Sequence, residues 1–362
     1  MGSARMVLDT LDRPLRDLRI SVTDRCNLRC RYCMPREVYG ADFRFLARAE
    51  ILDFDEIACL VRVFARLGVR KIRLTGGEPL LRREVDRLVA MLAPIDGIDE
   101  IAMTTNGLLL ADRAQALARA GLARVTVSLD ALDDDVLRVI GDAPVSARRV
   151  LAGVDAAAAA GLHPLKVNMV VRRGVNDHCV AELAERFRHS GVVLRFIEYM
   201  DVGASNGWRL EDVVPAQEIL RSLKARWPLE PLDPAVAGEV ASRYRYCDGA
   251  GEIGLIHSVS EPFCGGCTRA RLSADGKLFT CLFARRGHDL RALLRAGADD
   301  GQIEQALREV WGARADRYSA QRSQASAPAQ GGGRTREHGG EDRDSQVGND
   351  QPPKIEMSYI GG

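Results

Sequence analysis

DLRISVTDRCNLRCRYCMP, residues 17–35, is the stretch on which the reading of this chain turns. It opens on an apolar run, Leu18–Val22, of the kind that forms a strand, and passes at once into Cys26, Cys30 and Cys33 in a CxxxCxxC spacing. A second triplet stands far downstream, where Cys264 and Cys267 form a CxxC and Cys281 follows after thirteen residues. A closed structural zinc site or an ordinary iron–sulfur cluster takes four protein ligands. Each triplet offers three, which leaves one coordination position open to a small molecule, a catalytic arrangement. Two three-ligand clusters are a simpler account than one six-ligand site, and a zinc scaffold built on both triplets remains an alternative. Cys59, Cys179 and Cys247 stand alone and are expected to be small buried apolar side chains. Nine cysteines, an odd number, without a secretion leader argue against a disulfide framework.

Outward from this stretch, short β-type runs alternate with longer helical patterns up to residue 200. The strands expected are Leu18–Val22, Lys71–Leu74, Glu100–Thr104, Arg124–Leu129, Leu165–Val171 and Val193–Glu198. Between them lie segments such as Phe54–Leu67, with Ile57, Leu60, Val61 and Phe64 on one helical face. Gly68, Gly121, Gly161 and Gly191 each follow a helical run, where a glycine suits a C-cap. Regular βα repetition predicts a parallel sheet curled into a full or partial barrel, with its chemistry at the C-terminal strand ends. The first triplet, TGGEP, TTNG and SLD fall at those ends in turn.

Beyond residue 201 the rhythm changes. Residues 201–240 look irregular, Val240–Tyr246 and Glu252–Val259 look β-like, and 289–311 look helical. Residues 313–354 are rich in Gln, Ser, Gly, Arg and Asp and read as a disordered polar linker. The last residues, IEMSYIGG, turn apolar again, so the end is expected to dock. The organisation expected is an N-terminal extension (1–16), a partial barrel (17–236), a C-terminal region (237–312), the linker (313–354) and a tail (355–362).

The 362 residues are 46% hydrophobic, enough for two domains or one large domain with an appendage. Lys+Arg 51 against Asp+Glu 50 excludes a strongly basic nucleic-acid binder on bulk charge and leaves local basic pockets open. No apolar run approaches the roughly 18 residues of a membrane helix. The N-terminus has no apolar signal core, and Met6 sits where myristoylation wants Ser or Thr, so a cytoplasmic location is expected.

CNLRCRYCMP (26–35) and GGEP (76–79) resemble the two marks of the radical S-adenosylmethionine (SAM) superfamily. FCGGCTRARLSADGKLFTCLF (263–283) and the terminal IGG (360–362) resemble the GTP 3′,8-cyclase family of molybdenum cofactor biosynthesis. The likeness runs from about residue 15 to 311 and resumes at the end. It implies an α/β fold, an incomplete (β/α)6 TIM-type barrel with a C-terminal auxiliary-cluster region, and two 4Fe–4S clusters. It also implies SAM as cofactor and a radical attack on GTP.

By this resemblance Cys26, Cys30 and Cys33 hold one cluster, and Cys264, Cys267 and Cys281 the other. Tyr32, Gly76, Gly77, Glu78, Ser128 and Met200 are the SAM-binding positions. Arg19, Arg73, Thr104, Lys166, Thr268, Arg269, Ala270 and Arg271 are the GTP contacts, with Arg19, Gly361 and Gly362 catalytic. The residues themselves support part of this. A triphosphate needs cations, and the candidates are Arg19, Arg73, Lys166, Arg195, Arg269 and Arg271. Arg19 and Arg73 alternate with apolar strand neighbours, and a buried unpaired arginine is expensive, which favours a ligand partner. Lys166 is one of only five lysines in an arginine-rich chain. Arg25, Arg29 and Arg31 read as solvated charges. Gly76 and Gly77 would let the backbone approach a ligand where a Cβ would clash.

The partners the resemblance implies are GTP, an electron donor such as flavodoxin or ferredoxin, the downstream cyclic pyranopterin monophosphate synthase, and a second copy in a homodimer. Neither nucleic acid nor a membrane is expected. The competing readings are a peptide-modifying radical SAM maturase and the zinc scaffold, which would hold no acid-labile sulfide.

Overall fold

The computed structural model describes residues 6–236, 238–325 and 354–361. Six strands follow one another as the βα rhythm predicts: β1 (Asp17–Ser21), β2 (Lys71–Thr75), β3 (Glu100–Thr105), β4 (Arg124–Ser128), β5 (Lys166–Val171) and β6 (Val193–Glu198). Each pairs in parallel with the next. Then come β7 (Leu229–Leu232), β8 (Ser242–Tyr246), β9 (Glu252–Ile256), β10 (Arg269–Leu272), β11 (Lys277–Phe279) and β12 (His288–Asp289). All twelve form one sheet, in the order β12-β11-β10-β1-β2-β3-β4-β5-β6-β9-β8-β7.

The C-terminal strands extend the six-strand barrel at both edges. β9 joins β6 in parallel, and β10 joins β1 in parallel. The sheet is not closed by hydrogen bonds, so the architecture is an incomplete TIM-type barrel. The expected boundary at 236/237 falls between β7 and β8, which are paired with each other.

Strand alternation sorts the side chains. Leu18, Ile20, Ile72 and Leu74 are fully buried against the outer helices, while Arg19 and Arg73 turn inward. The helix Phe54–Arg66 shows why an outer element forms where it does. Asp53 and Glu56 make a reciprocal capping box, and Ile57, Leu60, Val61 and Phe64 are buried on one face. Gly68, Gly121, Gly161 and Gly191 all have positive φ after a helix, the conformation in which an L side chain is strained.

Several expectations need correction. The stretch 201–240 is less irregular than it reads, since it contains β7 and a helix, Ala216–Lys224, with Ala216, Ile219, Leu220 and Leu223 buried. The helical stretch 289–311 is two helices, Leu290–Arg295 and Asp300–Gly312. Gly297 turns left-handed between them, and Asp299 with Gln302 caps the second. The linker expected at 313–354 is ordered at both described ends. Tyr318–Ala325 is a helix, and Tyr318, Arg322 and Lys354 all donate to the Asp201 carboxylate. Residues 326–353 lie outside the described residues. Cys179 is buried as expected, but Cys59 is half-buried and Cys247 is exposed. Among the described residues no helix is long and apolar enough to cross a membrane.

Candidate active site

Parallel register builds the site. Arg19 lies opposite Arg271 on one side and Arg73 on the other, so three arginines stand in a row across β10, β1 and β2. Further round, Thr104, Thr126 and Lys166 form a second row, and Arg195 on β6 lies opposite Asn168 and Gly254. With a side-chain period of two, these residues share the inner face. All of them but Thr126 line a cavity of about 760 Å³, into which both cysteine triplets also open.

The cations have few counter-charges. Arg73 donates to the hydroxyls of Thr104 (3.1 Å) and Thr126 (3.3 Å), and Arg195 to the Asn168 side chain (2.9 Å). Lys71 and Arg124 also line the cavity, but both are paired with Glu100. Among the described residues none of Arg19, Arg73, Lys166, Arg195, Arg269 and Arg271 is ion-paired. Burial and neighbouring cations therefore weaken the hold of Arg19, Arg73, Lys166, Arg195 and Arg271 on their protons. Burial, Arg269 and Arg73 bring Arg19 down to about 9. Burial with Arg195 and Arg124 brings Arg73 to about 10 and Lys166 to about 8. Arg271 is pulled well below the usual guanidinium range by burial, Arg19 and Arg269. Such a cluster fits a polyanion, which would relieve the repulsion.

The first triplet occupies the loop after β1. Its backbone is held locally, for Arg29 donates to the carbonyls of Cys26 and Leu28 at 2.9 Å each and to that of Tyr39 at 2.9 Å. Arg29 is thus a half-buried staple, not the solvated charge expected; Arg25 and Arg31 are exposed. Gly76 and Gly77 line the cavity, but their close approach is to this loop. A Cβ on Gly76 would stand 2.4 Å from the Thr23 carbonyl oxygen, and one on Gly77 2.2 Å from that of Arg25. The amides of Gly77 and Glu78 donate to those same carbonyls. The need for glycine here is protein against protein.

Glu78 is buried, with its carboxylate accepting from Thr105 (2.6 Å), the Asn106 amide (2.8 Å) and the Leu80 amide (3.1 Å). Burial raises it to about 7 against those three donors. Tyr32 donates its hydroxyl to Asp130 at 2.8 Å, and Ser128 and Met200 line the cavity nearby. Asp130, inside the SLD noted in the sequence, was not singled out there; it lines the cavity and also accepts from the Val170 amide. Gly254 was missed as well. Its absent Cβ would stand 3.0 Å from Cγ of Arg195, so the glycine makes room for that arginine's stem.

The second triplet reaches the cavity because β10 pairs with β1. Arg269 and Arg271, two apart, both face inward, whereas Ala270 between them is fully buried on the outer face and Thr268 bonds Asp17 instead. Neither Thr268 nor Ala270 lines the cavity, a consequence of strand alternation. Arg269 points Nη2 at Cys267 Sγ, 3.4 Å away. Burial acts to raise Cys267, but Arg269 and Arg314 outweigh it and bring the thiol down to about 6. The tail also arrives. The Gly361 carbonyl accepts from Arg271, and a Cβ on Gly361, at φ +73, would stand 2.4 Å from Thr75 Cγ2. Gly362 lies outside the described residues.

Three thiols per triplet, opening on one cavity, fit an iron–sulfur cluster with a free coordination position. Among the described residues no three His, Cys, Asp or Glu side chains are close enough to share a single metal ion. A cubane puts each thiolate on a different iron, so a wider triplet still suits it.

A parallel barrel with a CxxxCxxC loop at the end of its first strand defines a radical SAM protein, and the description of that superfamily matches residues 20–187. The crystal structure of Streptococcus suis SuiB bound to S-adenosylmethionine shares this fold, with a TM-score of 0.57, 14% identity, and coverage of 81% of this chain and 68% of that one. Residues 192–320 match the Molybdenum Cofactor Synthesis C family. The chain is 54% identical to the GTP 3′,8-cyclase of Acidothermus cellulolyticus over 364 residues, covering 98% of this chain and 99% of that one. The same enzyme of Staphylococcus aureus (strain MRSA252) is 46% identical over 357 residues, with coverage of 98% and 99%. This chain belongs to the GTP 3′,8-cyclase family. It thus binds SAM and an iron–sulfur cluster, as its superfamily does.

Proposed function

We propose that this chain converts GTP to (8S)-3′,8-cyclo-7,8-dihydroguanosine 5′-triphosphate, the first step of molybdenum cofactor biosynthesis, inside the cavity described above. The observation that carries the reading is the set of six cations, without carboxylate partners among the described residues, that shares one cavity with two cysteine triplets. The peptide-maturase alternative keeps only a likeness of fold, at 14% identity to SuiB.

Cys26, Cys30 and Cys33 would hold the cluster that binds SAM, and Cys264, Cys267 and Cys281 a second one facing the guanine base. When bound, the first cluster and SAM supply a carbon-centred radical able to take a hydrogen atom from C3′ of the ribose. The protein's own task is placement. Gly76, Gly77, Glu78, Ser128, Met200 and Tyr32 bound the SAM end, with Asp130 orienting Tyr32. Arg19, Arg73, Lys166, Arg195, Arg269 and Arg271 receive the triphosphate through charge-assisted bonds. Thr104 orients Arg73 from its second row. Gly361, held by Arg271, sets the proposed catalytic tail backbone against Thr75 and Ser21 at the ends of β2 and β1. Bringing C3′ and C8 to about 3–3.5 Å is the main contribution such a site can make. Thr268 supports β1 through Asp17, and Ala270 packs outward, so neither is proposed to touch GTP.

A one-electron donor of the flavodoxin or ferredoxin kind, delivery to the cyclic pyranopterin monophosphate synthase, a homodimeric assembly and a cytoplasmic location rest on the family resemblance. The test is anaerobic: reconstitute the clusters, add reductant and SAM, and compare 5′-deoxyadenosine release with GTP, with ATP and with neither. GTP-dependent release with a cyclised product by mass is expected. Release that ignores GTP would sink the cyclase reading and keep the superfamily.

A further inference from the structure

Asp9, Arg13 and Arg314 make a buried charge cluster that the chemistry above does not use. Asp9 accepts from Arg13 Nε at 2.7 Å and Arg314 Nη1 at 3.1 Å, and the three side chains are at most 2% exposed. The Asp9 carboxylate is anchored further by the amides of Leu11 and Arg13, at 2.9 Å each. None of the three lines the cavity. Their remaining hydrogen bonds run to one place. Arg13 Nη1 donates to the Cys264 carbonyl at 2.8 Å. Arg314 donates Nη1 to the Cys267 carbonyl at 2.8 Å and Nε to the Thr280 carbonyl at 3.1 Å. One carboxylate therefore holds two guanidinium forks that grip the backbone at Cys264, at Cys267 and at the residue before Cys281.

The grip is itself braced. Arg314 lies over the Trp311 ring, 4.5 Å from its centroid, and Trp311 donates Nε1 to the Arg13 carbonyl at 3.0 Å. Arg13 also donates to the Asp316 carbonyl, and Thr280 donates its hydroxyl to the Asp316 carboxylate at 2.6 Å. A buried ion pair is weak evidence for stability, since well-packed apolar residues of the same volume often do as well. Apolar residues could not, however, satisfy three carbonyls, two within the CxxC and one just before Cys281. Arg314 Nε also lies 3.5 Å from the Asp316 carboxylate, so two arginines meet two aspartates and the cluster is balanced in charge behind the thiols.

We propose that Asp9, Arg13 and Arg314 are positioning residues for the second cysteine triplet, a clamp that fixes the backbone of the CxxC and of the residue before Cys281 so that the thiols present one cluster to the substrate. The proposal rests on the reading that this triplet holds a cluster. It makes the N-terminal extension and the segment after the last long helix parts of the auxiliary site, although they lie about 300 residues apart in sequence.

The test uses the full chain with Cys26, Cys30 and Cys33 replaced by alanine, so that only the second triplet can bind iron. Iron, acid-labile sulfide, the electron paramagnetic resonance spectrum of the reduced cluster and the apoprotein unfolding temperature are measured for this parent, Arg314→Gln, Arg314→Lys and Asp9→Asn. Arg66→Gln, in an exposed ion pair on an outer helix, is the control. The parent and control are expected to hold the same iron. Arg314→Gln should retain no more than half of it with an altered spectrum, and Arg314→Lys, which keeps the charge and loses the fork, should fall between. Should Arg314→Gln fail to fold, Arg314→Lys and Asp9→Asn carry the same comparison. Full iron and an unchanged spectrum in the folded variants, with only the unfolding temperature lowered, would overturn the clamp alone. A parent that binds no iron would overturn the second-cluster reading and the clamp with it.

Discussion

The two cysteine triplets open on one cavity but are built on opposite terms. The first is local: its ligand loop spans eight residues, and the arginine that grips its backbone, Arg29, lies inside that loop. The second is assembled from afar, with its CxxC and Cys281 gripped by Arg13 and Arg314 from the two ends of the fold. Their electrostatics differ as well. Burial and the neighbouring Glu78 push Cys26 up to about 11, and burial with Cys33, Cys26 and Asp130 raises Cys30 well above the usual thiol range. In the second triplet Arg269 and Arg314 bring Cys267 down to about 6 against burial, while burial pushes Cys281 up to about 11, so the contrast is confined to Cys267. Arg25, Arg29 and Arg31 of the first loop do not line the cavity, which suits a cationic sulfonium cofactor there, whereas Arg269 and Arg271 by the second triplet do line it, which suits a polyphosphate. One barrel separates the two by placing them after different strands, β1 and the approach to β10.

The largest expected effect tests that division. Cys30→Ala should abolish 5′-deoxyadenosine release altogether, whereas Cys264→Ser should retain some SAM cleavage and lose the cyclised product. Equal loss of both activities would break the comparison. Next, Arg271→Ala removes a cation that bonds the tail and faces the cavity. One charge-assisted contact is worth about 1.5–3 kcal/mol, so kcat/KM for GTP should fall roughly 10–100-fold. SAM cleavage without GTP should change little, since Arg271 is not among the residues proposed to bound the SAM end. An equal fall in GTP-independent cleavage would argue that the two ends are not separable.

Asp201→Asn is expected to cost about ten-fold in cyclised product, because Lys354, Tyr318 and Arg322 share that one carboxylate and the tail that carries Gly361 hangs from it. Faster limited proteolysis near residue 354 should accompany the loss, and an unchanged cleavage rate would clear Asp201 of that role. The smallest effect concerns pH. Lys166 loses its proton near 8, through burial and its arginine neighbours, so its ammonium is present below that pH and lost above it. Its protonated fraction falls about ten-fold from pH 7 to pH 9, and kcat/KM for GTP should fall by up to that factor. Lys166→Arg, charged throughout, should flatten the profile. A slope that persists in that variant would assign the titration elsewhere.

What could be read in the sequence was what local chemistry writes there. Period-two alternation in LRIS and KIRLT announced strands with inward arginines, the triplets announced open-site ligands, and the glycines after helices announced their caps. The helix Ala216–Lys224 escaped although Ala216, Ile219, Leu220 and Leu223 carry the helical spacing, because neighbouring Pro and Trp residues made the whole region look irregular. Gly254 escaped because its requirement is set by Arg195 on the adjoining strand, invisible before β6 and β9 pair. Gly76 and Gly77 were read as glycines made for a ligand, yet the contact that forbids a Cβ is the backbone of the first cysteine loop.

The sequence by itself determined the six-strand βα order, the spacing within each cysteine triplet, and which strand residues alternate toward the interior, because each depends on neighbours a few positions away. The tertiary structure decided which of those residues meet. Pairing of β10 with β1 brought Arg271 beside Arg19 and turned Ala270 outward, the Asp201 carboxylate returned a distant tail to the barrel mouth, and Asp9 joined Arg13 to Arg314 behind the second triplet. Contacts between segments hundreds of residues apart leave no local pattern, for they are selected by the packing of the whole sheet.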